Sequence, residues 1–186
     1  MKTPSKVVIV GLPGAGKTTL ARRIHEKTGF QLFHADELYC YPDGSKYDMK
    51  AAYSFLKDAT HRQSWILDGW FDPTFTLPLN RADVVIHLDY NPVESLKQAY
   101  RRGRNNEVRG EYGASRKHSL NLPFILRYML GLHALGIATM LALAKPKCIV
   151  TLRSREETEK WLEEGMPLPQ RRGQYLEKPR LSRAPH

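Results

Sequence analysis

Cysteine is nearly missing from this chain. Across 186 residues it occurs only at Cys40 and Cys148, too far apart for any metal-binding or redox spacing. Both thiols are expected to be free, which suits a reducing cytoplasm. The first six residues lead directly into an apolar run and offer no signal-peptide core. There is no internal repeat, and no Asn-Lys-x-Asp run of the kind that reads guanine. Negative charge is the scarcer sign: 19 acids stand against 29 Lys and Arg, a net charge of +10. That balance favours phosphorylated or otherwise anionic partners over cationic ones. Also lacking is an uninterrupted membrane-length apolar run. Phe124 to Ala144 comes nearest, but Arg127 and His133 interrupt it, and both are costly in lipid. No membrane span is expected. The segment reads instead as a buried helix or an oligomer interface, with Ala134, Ala138 and Ala142 as a small-residue stripe. A homodimer through residues 122–144 is one expectation.

What is present is an ordinary globular composition, 41% hydrophobic and 26% charged, in a length that suits one domain. Residues Gly11 to Thr18 read Gly-Leu-Pro-Gly-Ala-Gly-Lys-Thr, a Gly-x4-Gly-Lys-Thr loop. It lies between the apolar run Val7–Val10 and a helical pattern through Leu20, Ala21 and Ile24. Glycines let successive N–H groups curl around phosphate oxygens where side chains would clash. The helix that follows aims its unpaired N–H groups and positive dipole end at the same anion. Gly11, Leu12, Pro13, Gly14, Ala15, Gly16, Lys17, Thr18 and Thr19 are therefore the expected nucleotide-binding residues. Lys17 reaches the β- and γ-phosphates, and the Thr18 hydroxyl is a ligand for Mg²⁺.

Short apolar runs alternate with helical patterns, which predicts an α/β fold with a buried parallel sheet and helices on both faces. Strands are expected at Lys6–Val10, Phe30–His34, Ser64–Leu67, Val84–Leu88 and Cys148–Leu152. Helices are expected at Lys17–Thr28, Lys46–His61, Pro92–Arg102, Leu122–Ala144 and Arg155–Glu164. Asn91-Pro92-Val93-Glu94 marks a capped helix start, and Ser154-Arg155-Glu156-Glu157 a capping box. Residues 1–165 form the expected domain. The remainder, to His186, is rich in proline and arginine and has little to bury, so residues 166–186 read as a peripheral tail.

In an open α/β sheet, ligands bind beyond the carboxyl ends of the strands. Asp36, after the second strand, suits an acceptor hydroxyl or its proton, or else a helix or turn cap. His34 and Glu37 are weaker candidates. Asp68, after the third strand, suits the Mg²⁺ shell or serves as a turn residue. Asp89 comes just before the Asn91-Pro92 helix start, and a structural role fits it better. Arg101, Arg102, Arg104, Arg109, Arg116 and Lys117, with glycines between them, suit a lid over residues 101–120. Arginine forks there would hold a transferring phosphoryl group. A solvated basic loop is the alternative. Arg101 and Arg104 are the favoured contacts.

Together these pieces resemble the small P-loop kinases of the adenylate kinase and shikimate kinase type. They resemble more closely the DNA topology modulation proteins that share that fold. The likeness rests on residues 11–19, His34–Tyr39, Trp65–Trp70, Ala82–Asp89, the arginine run and Thr151–Ser154, and it spans roughly residues 5–165. It implies a three-layer P-loop fold of about five parallel strands, ATP on the loop and a phosphoryl acceptor in the cleft. It also puts Arg153 where related folds approach adenine. In adenylate kinases Leu-Asp-Gly is followed by Phe-Pro-Arg; here Trp70-Phe71-Asp72 follows. An acid at the arginine's place argues against a nucleoside-monophosphate kinase.

The leading expectation is an ATP- and Mg²⁺-dependent phosphotransferase acting on a small hydroxyl-bearing acceptor. A nucleic-acid-associated ATPase or a polynucleotide-end kinase is the alternative, drawing on the basic surface and tail. A regulatory nucleotide-binding module, associated with a membrane surface through Phe124–Ala144, is a third.

Overall fold

The computed structural model describes residues 4–35, 49–69, 76–104, 131–144 and 146–168. The order of elements is β1 (Lys6–Gly11), α1 (Lys17–Thr28), β2 (Gln31–His34), α2 (Met49–His61), β3 (Trp65–Asp68) and α3 (Leu77–Arg81). There follow β4 (Val84–Leu88), α4 (Pro92–Arg104), α5 (Leu132–Ala144), β5 (Ile149–Leu152) and α6 (Arg155–Glu163). The five strands form one sheet in the order β2-β3-β1-β4-β5, and every pairing is parallel.

The strand sequences explain their place. Val7, Val8, Ile9, Ile66, Leu67, Val84, Val85 and Ile86 are fully buried, as continuous apolar runs must be when helices cover both faces. Each such side chain contributes about 1.5–3 kcal/mol by leaving water. At the other end of the sheet Asp83 ties β1 to β4. Its carboxylate accepts from the Ser5 N–H at 3.1 Å, the Ser5 hydroxyl at 3.0 Å and the Lys6 N–H at 3.1 Å. The crossovers between parallel strands place helices in two layers. On one face α1 meets α6: Lys27 Nζ donates to the Leu162 carbonyl at 2.6 Å, and Arg23 pairs with Glu159. On the other, α3 touches both α2 and α5, and Arg81 Nη1 donates to the Thr60 hydroxyl at 2.9 Å.

The caps form as the sequence predicts. The Asn91 side chain accepts from the Val93 N–H at 2.9 Å. The Ser154 hydroxyl accepts from the Glu157 N–H at 3.1 Å, and the Glu157 carboxylate accepts from the Arg153 N–H at 2.6 Å.

Three expectations need correction. The apolar helix does not run unbroken from Leu122 to Ala144, because Gly131 has a φ of +68° and α5 starts after it; residues 122–130 lie outside the described ones. Within α5 the buried side chains are Ile137, Met140 and Ala144, whereas Ala134, Ala138 and Ala142 are exposed. The alanine stripe therefore faces away from the core. The structure also adds a short helix, α3, between β3 and β4. It is only five residues long and starts Leu-Pro, a pattern that reads locally as a turn. The packed chain also runs past residue 165. Met166 is buried, and the Trp161 indole donates to the Pro167 carbonyl at 3.1 Å. No helix among the described residues is long and apolar enough to cross a membrane.

Candidate active site

Parallel pairing brings the carboxyl ends of all five strands to one edge of the sheet, and β1 delivers the glycine loop there. The loop is pressed against α4. Gly14 has a φ of +87°, and a Cβ at that position would fall 1.9 Å from the Ser95 carbonyl oxygen and 2.9 Å from the Ala99 nitrogen. Gly16, with a φ of +91°, opens α1 with no side-chain cap, and the helix's first turn carries no acid. The leading N–H groups of α1 are thus left to an anion. Lys17 Nζ folds back over the loop and donates to the Gly11 carbonyl at 3.1 Å and the Leu12 carbonyl at 3.2 Å. Ala15 N–H closes a turn onto the Leu12 carbonyl at 3.0 Å. Thr18 is half-buried at the mouth of the helix and Thr19 is exposed.

Beside the loop, register puts Ile9 of β1 opposite Asp68, two residues before Gly11, and puts His34 of β2 opposite Asp68 from the other side. Asp68 is the last residue of β3 rather than the first of a turn, and it is only 1% exposed. The His34 Nδ1 meets its Oδ1. His34, a weaker candidate on sequence grounds, thus pairs with Asp68 across the strands. The available signal was that two adjacent strands each end on a polar residue.

On the other side of β1, Gly11 faces Leu88 and Leu88 faces Leu152. Asp89 donates its N–H to the Leu152 carbonyl at 2.9 Å, which splices β4 to β5 and leads into the Asn91 cap. Arg153 follows β5 with its side chain exposed. His87, inside β4, is held below the ordinary histidine range by burial; Asp89 opposes that shift and Arg153 adds to it.

The expected residues therefore divide. The loop residues, Lys17, Thr18 and Asp68 gather around the end of β1, and Arg153 stands two strands away. Arg101 is exposed on α4. Arg104 ends that helix, and its side chain lies outside the described residues. So do Asp36, Glu37, the lid from residue 105 onward and the tail from 169. Ala35, the last described residue before Asp36, is fully buried.

The groups implied by the loop can be tested against these donors. The glycine cradle, the uncapped helix and Lys17 fit a polyphosphate. Among the described residues no cluster of three or more His, Cys, Asp or Glu is arranged to hold a metal. Thr18 and Asp68 supply hard oxygens, which fits Mg²⁺ shared with phosphate and water rather than caged by protein.

No protein-family model matches this chain, and no curated protein matches it by sequence. Solved structures do match. Shikimate kinase from Bacteroides thetaiotaomicron aligns over 87% of this chain and 96% of its own, at 16% identity and a TM-score of 0.52. Shikimate kinase from Aquifex aeolicus aligns over 85% and 91%, at 14% identity and a TM-score of 0.51. The chain shares their fold. The expected three-layer α/β architecture with five parallel strands is what the structure contains. At these identities the likeness concerns architecture alone.

Proposed function

We propose that this chain is an ATP- and Mg²⁺-dependent phosphotransferase that moves the γ-phosphoryl group to the hydroxyl of a small acceptor. The carrying observation is the juxtaposition at the end of β1. An uncapped helix start and a glycine loop with Lys17 lie beside a strand end that carries a buried carboxylate. That is a donor site with an acid next to it. Mg·ATP would supply the activated phosphoryl group and a cation to offset its charge. The rest of the work would be positioning and electrostatics by the protein. In this reading the N–H groups of Gly11 to Thr19 hold the phosphates, and Lys17 leaves its loop carbonyls for phosphate oxygens. Thr18 and Asp68 face the metal, and Arg153 lies toward the base. Asp36 orients the acceptor hydroxyl and takes its proton. Arg101 and Arg104 close over the transferring group.

The narrower likeness to topology modulation proteins, carried by His34–Tyr39 and Trp65–Trp70, belongs to this reading but brings no reaction with it. In this reading the enzyme works in a reducing cytoplasm, a setting in which Cys148 stays a free thiol.

The test is Mg·ATP consumption across pooled nucleosides, sugars, small hydroxy acids and oligonucleotides, with Lys17→Ala as control. Acceptor-dependent ADP formation that Lys17→Ala abolishes is expected. Full turnover in Lys17→Ala, or consumption stimulated only by oligonucleotides, overturns the reading.

A further inference from the structure

His34 and Asp68 are the last residues of neighbouring parallel strands and stand in register. Residues opposite one another in adjacent strands leave the sheet on the same face, so the two side chains meet. Nδ1 of His34 lies against Oδ1 of Asp68, with side-chain exposures of 17% and 2%. A carboxylate this buried is expensive unless a donor satisfies it. Among the described residues His34 is the one side chain that does so. The contact fixes one of the two oxygens and, with it, the rotation of the carboxylate. Oδ2 is not engaged by that contact, and β3 ends one strand away from the start of the glycine loop.

We propose that His34 is a positioning residue. Its Nδ1–H locks the Asp68 carboxylate in the single orientation from which the other oxygen meets the Mg²⁺ shell of the bound triphosphate. The proposal rests on the reading of Asp68 as the metal-side acid, and it extends that reading to a partner on a different strand. Such outer partners govern how well an acid is presented to a metal, and losing one typically lowers metal affinity about 10- to 100-fold.

The experiment titrates Mg²⁺ by calorimetry into the full-length protein saturated with a non-hydrolysable ATP analogue; analogue affinity is measured separately in EDTA. In His34→Ala, Mg²⁺ affinity should fall about 10- to 100-fold while the metal-free analogue affinity stays within about twofold. His34→Asn offers an amide donor near the position of Nδ1 and should recover most of the loss. Unchanged Mg²⁺ affinity in His34→Ala, in the face of a clear loss in Asp68→Asn, overturns the proposal. Equal losses with and without metal also overturn it, because they make His34 merely structural.

If His34→Ala fails to fold around an unpaired buried carboxylate, the double variant His34→Ala/Asp68→Asn carries no such charge. It should match Asp68→Asn alone in Mg²⁺ affinity, and a further loss overturns the proposal. Wild-type protein that binds Mg²⁺ as described but transfers phosphate to no acceptor defeats the phosphotransferase reading and leaves this one standing.

Discussion

A Cβ on Gly14 would stand 1.9 Å from the carbonyl oxygen of Ser95, so the glycine loop and the first turn of α4 are in backbone contact. Neither partner can yield as the end of a flexible side chain would.

Gly14→Ala should therefore destabilise the fold by about 2 kcal/mol or more, from overpacking together with a left-handed backbone. Gly16→Ala meets nothing within 4 Å at a φ of +91°, and should cost only the backbone preference, about 1–2 kcal/mol. Urea unfolding of the two variants measures the gap. Equal losses would mean that the contact with α4 is not what excludes a side chain at position 14.

Lys17 donates to the loop carbonyls of Gly11 and Leu12, and it is half-buried at the start of α1. Lys17→Ala should leave the melting temperature within a few degrees of wild type. It should weaken binding of an ATP analogue roughly 10- to 100-fold, the range for losing a hydrogen bond to a charged group. A large drop in melting temperature would instead assign Lys17 to holding the loop together.

His87 titrates against stability. Burial keeps its folded-state value below the ordinary one, with Asp89 opposing and Arg153 reinforcing. The unfolded chain therefore takes up a proton from about pH 6.5 downward while the folded chain resists. The contribution is complete above that pH and is lost as pH falls through it. Between pH 7.5 and 5.5, His87→Gln should lose less stability than wild type, by at most about 1.4 kcal/mol per pH unit. Parallel curves would refute this.

Ser154→Ala removes the side chain that accepts from Glu157 N–H at 3.1 Å. The expected cost is about 1 kcal/mol, readable by chemical denaturation. Glu157→Gln, which keeps an acceptor for the Arg153 N–H, should cost less.

Much of the architecture could be read from the chain because its determinants are local. Val7–Val10 and Val84–Leu88 are mostly apolar runs, and Asn91 and Ser154 cap their helices by contacts two and three residues away. Lys17 and its glycines were legible for the same reason: one loop contains the whole motif. What escaped was non-local. The pairing of His34 with Asp68 requires β2 to lie beside β3 in a given register, and no pattern within either strand specifies that. The break at Gly131 escaped because an isolated glycine in an apolar run is compatible with a continuous helix. Here its φ of +68° ends that continuity. Helix α3 escaped because Pro78 and a length of five residues carry too little periodicity.

The strand order also bears on where this fold tolerates substitution. β1, which carries the donor loop, has a hydrogen-bonded neighbour on both sides, and five of its six residues are buried. β2, which leads to Asp36, is a four-residue strand at the margin of the sheet, and none of its residues is fully buried. Substitution in β1 disturbs two ladders and the core, whereas substitution in β2 disturbs one ladder. On the proposed reading, a change of acceptor would therefore be sought through substitution at the margin of the sheet, where it disturbs least, and not in β1.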